Sequence, residues 1–204
     1  MEQTSSVYII DDDPAVRDSL RWLIGSLNYP VKTFETAQVF LDSYKAGARG
    51  CIVLDVRLPG MSGLKLQKRL IVDGVDLPVI IISGHGDVPM AVQAMQEGAM
   101  HFLQKPFREQ EVLDCVQEAL ELDERNTESR KQAEQIQRCV AALTPREHQI
   151  MKNIVGGYTS KVIGEIYDIS SKTVDIHRTR VMQKMQVKSI PDLVKKALTI
   201  DPSL

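Results

Sequence analysis

Three runs of β-branched and aliphatic residues, Val7-Tyr8-Ile9-Ile10, Cys51-Ile52-Val53-Leu54 and Val79-Ile80-Ile81-Ile82, show no alternation of apolar with polar positions. A strand with one wet face alternates. A run that is apolar throughout needs cover on both faces, as in a parallel sheet between two layers of helices. Weaker runs at residues 31–34 and 101–103 bring the expected strands to five. Helical patterns with recognisable starts fall between them: Asp13-Pro14 ahead of Val16, Leu20, Leu23 and Leu27; Thr36 ahead of Val39, Phe40 and Tyr44; Asp87 ahead of Met90, Val92 and Met95, with Gly98 as the stop. This order of strand and helix predicts an α/β domain with a doubly wound, five-stranded parallel sheet.

The pattern then changes. Residues 124–135 carry three acids and three bases with no glycine or proline, which reads as a polar helical linker rather than a flexible tether. Beyond it the chain is helical throughout. Thr144-Pro145-Arg146-Glu147 is a capping box with proline at the first helical position, ahead of Ile150, Ile154 and Val155 and a Gly156-Gly157 stop. A second helix is expected over residues 159–167, a short turn over Asp168-Ile169-Ser170, a third helix over residues 171–186, and a fourth from Ser189-Ile190-Pro191. The expected division is an α/β domain at 1–122, a helical linker at 123–141 and an all-α four-helix module at 142–204.

Charge separates the two ends. Residues 1–125 hold 12 Lys/Arg against 19 Asp/Glu, a balance of −7, whereas residues 143–204 hold 10 against 6, a balance of +4. An acidic domain suits a metal or a cationic partner and a basic one suits a polyanion. Cys51, Cys115 and Cys139 are widely spaced, with neither a CxxC pair nor a Cys/His cluster, so they read as buried thiols. No apolar run approaches the roughly 18 residues a membrane helix needs. The first residues also lack a signal-peptide pattern, and a soluble cytoplasmic protein is expected.

Each strong strand ends in a residue capable of chemistry: Asp11-Asp12 after Ile10, Asp55 after Leu54, and Ser83 after Ile82. Parallel strands point the same way, so these groups should meet at the carboxyl edge of the sheet, with Lys105 added from the fifth strand. Carboxylates crowded there repel one another unless a cation lies among them. An all-oxygen nest suits Mg²⁺, which keeps several waters and bridges one or two carboxylates to a phosphate. A carboxylate beside a lysine and a hydroxyl is a layout for phosphoryl transfer in which the carboxylate itself can be the acceptor.

Asp11-Asp12, the stretch from Leu54 to Gly63, Ser83-Gly84-His85-Gly86-Asp87-Val88-Pro89-Met90-Ala91 and Phe102-Leu103-Gln104-Lys105-Pro106-Phe107 resemble the receiver domain of two-component response regulators, most closely of the FixJ type. The resemblance implies a flavodoxin-like fold in which Asp55 accepts the phosphoryl group. It makes Asp12 and Asp55 direct Mg²⁺ ligands, Asp11 a ligand through water, and the Arg57 backbone carbonyl the remaining protein ligand. Ser83 and Lys105 would hold the phosphoryl group, Phe102 would be the switch aromatic, and Lys105-Pro106 would be cis. Arg57 and His85 flank the mouth and are expected to tune hydrolysis of the acyl phosphate.

In the helical module, a wheel of 100° per residue puts Val174, Val181 and Met185 on one side of the third helix. Lys172, Ile176, Thr179 and Gln183 lie opposite, with Asp175 and Arg180 at the margins. A polar outward helix after a short turn is the arrangement of a major-groove reader. Lys172, Arg178, Arg180, Lys184 and Lys188 supply charge for phosphates. Leu143–Glu147, residues 169–178 and Val181-Met182-Gln183-Lys184-Met185 are similar to the LuxR-type helix-turn-helix domain. Ser160, Val162 and Gly164 depart from that family's usual Asn, Glu and Ala. The resemblance implies DNA contacts from Lys161, Lys172, Thr173, Asp175, Ile176, His177, Arg178, Thr179, Arg180 and Lys184.

Together these features predict a transcription regulator and not a turnover enzyme. Its expected partners are a sensor histidine kinase, promoter DNA, a second copy of itself on phosphorylation and RNA polymerase, with no membrane. Two rivals stay open on sequence: a phosphatase using an aspartate after the first strand, which leaves the helical module idle, and a DNA-binding protein that makes no use of phosphorylation.

Overall fold

The computed structural model describes residues 4–84 and 88–200, so the expected roles of His85 and Asp87 lie outside the described residues. Five strands, β1 Ser6–Ile10, β2 Val31–Phe34, β3 Gly50–Asp55, β4 Val79–Ser83 and β5 His101–Gln104, form one sheet in the order β2-β1-β3-β4-β5, every pair parallel. The helices α1 Pro14–Gly25, α2 Ala37–Ser43, α3 Gly63–Val72 and α4 Val88–Gln96 alternate with them, and α5 Glu109–Ala141 follows β5. Strand order reverses between β1 and β3, so the crevice for a ligand lies outside the carboxyl ends of those two strands.

The unbroken apolar runs are explained by two cores, one on each face. Val7, Ile9, Cys51, Val53, Ile80 and Ile82 pack with Leu20, Leu23 and Ile24 of α1 and Val112 and Val116 of α5. Their neighbours Tyr8, Ile10, Ile52, Leu54 and Ile81 point the other way, against Phe40, Leu66, Leu70 and Ala94 of α2, α3 and α4. Full burial of each such side chain contributes about 1.5–3 kcal/mol, so neither face can be given up. The expected helix starts are present: Asp13 Oδ1 accepts from the Ala15 amide at 2.8 Å, and Thr36 Oγ1 accepts from the Val39 amide at 3.2 Å.

The chain forms two compact units that part between Thr127 and Glu128. Residues 123–141, expected as a linker, are the later part of the 33-residue α5. In the first unit, Asp123 is buried and ion-paired with Arg49 at 3.3 Å. In the second, Ile136 and Cys139 belong to the core. The polar composition of this stretch reflects a helix whose exposed positions are charged and whose few buried positions are spent at its two ends.

The second unit continues with α6 Pro145–Val155, α7 Ser160–Tyr167, α8 Ser171–Lys184 and α9 Ile190–Ile200. The Thr144/Glu147 capping box is formed in both directions. Asp168 takes a left-handed conformation, φ 52°, to end α7, and Gln186, φ 53°, follows the end of α8 two residues earlier than expected. Val174, Val181 and Met185 are wholly buried, as the helical wheel predicts. Gly164 lies where the turn folds back on α7: the Ile169 amide donates to its carbonyl at 3.0 Å, and a Cβ on Gly164 would stand 2.7 Å from the Ile169 carbonyl oxygen.

Helix propensity alone makes glycine worse than alanine by about 0.5–1 kcal/mol, so Gly164→Ala would stabilise a free helix. The close approach of the turn reverses that sign. Gly164→Ala should destabilise the second unit by about 1–3 kcal/mol, read as a lowered melting transition in calorimetry. An unchanged or raised transition would contradict this.

Candidate functional site

Asp11 directly follows β1, Asp55 is the last residue of β3, Ser83 is the last of β4, and Lys105 directly follows β5. Register places them side by side. Asp55 pairs with Ile82, Ser83 with Gln104, and the Lys105 amide donates to the Ser83 carbonyl at 2.8 Å. Asp11, Asp55 and Ser83 are buried. The Lys105 ammonium donates to Asp11 Oδ2 at 2.7 Å and to Asp55 Oδ1 at 2.9 Å, bridging the two carboxylates. Their other oxygens accept from backbone amides, Asp11 Oδ1 from Asp13 at 2.9 Å and Asp55 Oδ2 from Arg57 at 2.6 Å. Lys105-Pro106 is cis.

Burial pushes the Asp55 carboxyl above the ordinary aspartate range, and its bond to Lys105 pulls it only part of the way back. Burial also works against the Lys105 charge, but its bonds to Asp11 and Asp55 prevail and hold the ammonium above the ordinary lysine value. Ser83 Oγ stands 3.9 Å from the Met90 sulfur of α4. Phe102 is half-buried against the core on the α3/α4 face.

Among the described residues no three His, Cys, Asp or Glu side chains converge into a ready metal cage. Asp12 and Arg57 are exposed at the rim, while Asp11 and Asp55 face inward with their oxygens on Lys105 and on amides. The donors still fit Mg²⁺, because every one is a hard oxygen and that ion needs only one or two protein carboxylates when water and phosphate complete its shell.

Two residues here carried no sequence-derived role. Arg17 Nη1 donates to the Asp11 carbonyl at 2.7 Å and steadies the turn after β1. Gly63 opens α3 against the backbone of Asp55: its amide donates to the Val56 carbonyl at 2.9 Å, and a Cβ there would collide with the Asp55 carbonyl. Its place eight residues after Asp55 was the available signal, but a contact between a helix start and a strand end leaves no periodicity.

In the second unit the structure sorts the expected DNA contacts. Lys161 is exposed on α7, and Lys172, Asp175, Ile176, Thr179 and Arg180 are exposed on α8. Thr173 belongs to the cap, its amide donating to Ser170 Oγ at 3.1 Å. His177 and Arg178 are half-buried, and Arg178 Nη1 donates to the Tyr158 carbonyl at 3.4 Å. Lys184 has its ammonium 2.6 Å from Glu147 Oε2, an ion pair within the module, with its side chain 36% exposed. That bond, with the Thr144 amide, holds the Glu147 carboxyl down at about 2.

Comparison with known proteins agrees with both halves. The model for the response regulator receiver domain matches residues 7–117, and that for the bacterial regulatory proteins of the luxR family matches residues 141–197. The chain is 41% identical over 198 residues to transcriptional regulatory protein FixJ of Bradyrhizobium diazoefficiens, covering 97% of each. It is 43% identical over 190 residues to transcriptional regulatory protein TdiR of Thauera aromatica, covering 93% of this chain and 84% of TdiR. The solved response regulator StyR superimposes with a TM-score of 0.88 at 39% identity, over 95% of this chain and 98% of StyR.

Glu147 has its carboxyl lowered on folding, so the stability it contributes is fully present above the ordinary carboxylate range and is lost as pH falls from about 5 towards 2. Replacing Lys184 with Met leaves a buried carboxylate without its cation. Because Lys184 is itself partly solvated, the expected loss is about 1–2 kcal/mol at neutral pH, with a shallower acid limb in the melting temperature of the second unit. Equal stability in wild type and variant across that pH range would contradict the assignment.

Proposed function

The chain belongs to the response regulators that join a receiver domain to a LuxR-type DNA-binding domain and control transcription, and from that premise we propose that phosphorylation of Asp55 by a sensor histidine kinase sets the grip of its helical module on promoter DNA. The observation that carries the proposal is the buried pair Asp11 and Asp55 bridged by Lys105 at 2.7 and 2.9 Å, at the sheet edge where such folds bind ligands.

An Asp55 carboxylate oxygen attacks the phosphorus of the donor's phosphohistidine; the new P–O bond forms as the P–N bond breaks, and the imidazole leaves. Asp12, Asp55 and the Arg57 carbonyl, with Asp11 through water, would hold Mg²⁺, which would supply neutralisation of charge on the phosphoryl oxygens. Lys105 transfers its contact from the Asp55 carboxylate to a phosphoryl oxygen. The Ser83 hydroxyl donates to another, moving away from Met90, and Phe102 turns inward. Phosphorylation replaces the single negative charge of the Asp55 carboxylate with about −1.5 to −2 on the acyl phosphate, a net gain of up to about one charge beside Lys105, which is the force for rearrangement. On this reading the phosphorylated Asp55 is itself the signal, and the protein acts as a switch and not as a turnover enzyme.

The rearranged face of α4, β5 and α5 joins two copies. Val88, Val92 and Met95 support this assignment, being exposed at 77%, 48% and 47% along one stripe of α4. A dimer presents two helical modules to paired half-sites and gains affinity by linkage. The setting is the cytoplasm, with RNA polymerase as a further partner at the promoter; no helix among the described residues is long and apolar enough to cross a membrane.

Radiolabelled acetyl phosphate with Mg²⁺ should label the wild type, and labelling should vanish in Asp55→Asn or after chelation. Equal labelling of Asp55→Asn would contradict the acceptor assignment. Labelling indifferent to chelation would contradict the metal, and phosphate release over many turnovers would favour a phosphatase.

A further inference from the structure

Asp175 is the only acid on α8, and its exposed neighbours Lys172, Ile176 and Thr179 share one arc of that helix. An uncompensated carboxylate facing a duplex is repelled by phosphates and lowers affinity for every sequence alike. Among the described residues no cation pairs with this carboxylate: Arg178, three residues on, is turned to the Tyr158 carbonyl. Asp175 is instead held by a hydroxyl. Ser160, the first residue of α7, donates from Oγ to Asp175 Oδ1 at 2.7 Å, and no sequence pattern pointed to this link.

Resting on the DNA-binding reading above, we propose that Ser160 and Asp175 form a base-selecting pair in which Ser160 orients the carboxylate so that its second oxygen accepts a hydrogen bond from the exocyclic amine of one cytosine per half-site. The chemistry singles out cytosine. A carboxylate can only accept, and the major-groove donors are the cytosine N4 and adenine N6 amines. Adenine places its N7 acceptor beside N6, which suits an amide side chain with both a donor and an acceptor and opposes a second carboxylate oxygen. Cytosine offers its amine with no acceptor of its own alongside. Asp175 is the fifth residue of α8, within the N-terminal part of a recognition helix that reaches base edges. Asp175 is therefore the reading residue and Ser160 a positioning residue.

Both side chains lie at the surface of α7 and α8, so conservative variants keep the fold. The test selects bound sequences from randomised duplexes with full-length protein carrying beryllofluoride and Mg²⁺, for wild type, Asp175→Asn, Ser160→Ala and Ser160→Thr. In wild type one position per half-site should prefer cytosine by on the order of tenfold. That preference should move to adenine in Asp175→Asn, weaken several-fold in Ser160→Ala with the other positions unchanged, and return in Ser160→Thr. Substituting a pyrimidinone that lacks the 4-amino group at that position should cost wild type about tenfold and leave Asp175→Asn unaffected. A merely structural bracing role would change affinity for all sequences by one factor and would overturn the proposal. So would an unaltered preference in Asp175→Asn. If wild type enriches no sequence at all, the DNA-binding reading fails and this proposal with it, a result distinct from enrichment that ignores position 175.

Discussion

Two buried carboxylates share one ammonium at the edge of the sheet, and the first unit is organised around that shortage of positive charge. Asp11 and Asp55 come from strands that are neighbours only because the order reverses between β1 and β3, and Lys105 reaches them from β5, two strands beyond β3. Each face of the sheet must stay fully covered to keep those strand ends aligned, which is why the strands are apolar without interruption. In the proposed reaction a phosphoryl group on Asp55 enlarges the negative charge around Lys105. Lys105 cannot serve the old and new partners equally, and neighbouring groups must move to complete the compensation. On that proposal the switch is a consequence of electrostatics in a low-dielectric crevice.

The second unit uses charge in two different ways. Glu147 and Lys184 are drawn together at 2.6 Å to hold the start of α6 against the end of α8, a bond that stabilises the module. Lys172, Arg180 and Lys161 are exposed, and on the proposed reading they give affinity that ignores sequence. On that reading discrimination falls to the few exposed groups that are not simple cations, among them Asp175, Ile176 and Thr179.

What could be read from the amino acids alone was whatever is local or periodic. The three apolar strands, the caps at Asp13, Thr36 and Thr144, and the inward side of α8 at Val174, Val181 and Met185 all follow from spacing within a few residues. The meeting of Asp11, Asp55, Ser83 and Lys105 was legible because parallel strands share a direction. Features made by distant parts of the chain were not. The partner of Lys184 is 37 positions away, that of Ser160 is 15, and the backbone that makes Gly164 necessary belongs to the following turn. The stretch 123–141 was legible as a polar helix, but the pairing of Asp123 with Arg49 and the entry of Ile136 and Cys139 into the core of the second unit depend on partners elsewhere in the chain.

The most direct test of the account is the affinity of the full chain for a selected duplex, measured by fluorescence anisotropy with and without beryllofluoride and Mg²⁺, in wild type and in Asp55→Asn. Occupancy at Asp55 should tighten binding in wild type by on the order of tenfold or more, as expected when two linked modules engage paired half-sites, and should leave Asp55→Asn at the resting affinity. Equal affinity in all four conditions would show that the acidic crevice does not govern the helical module.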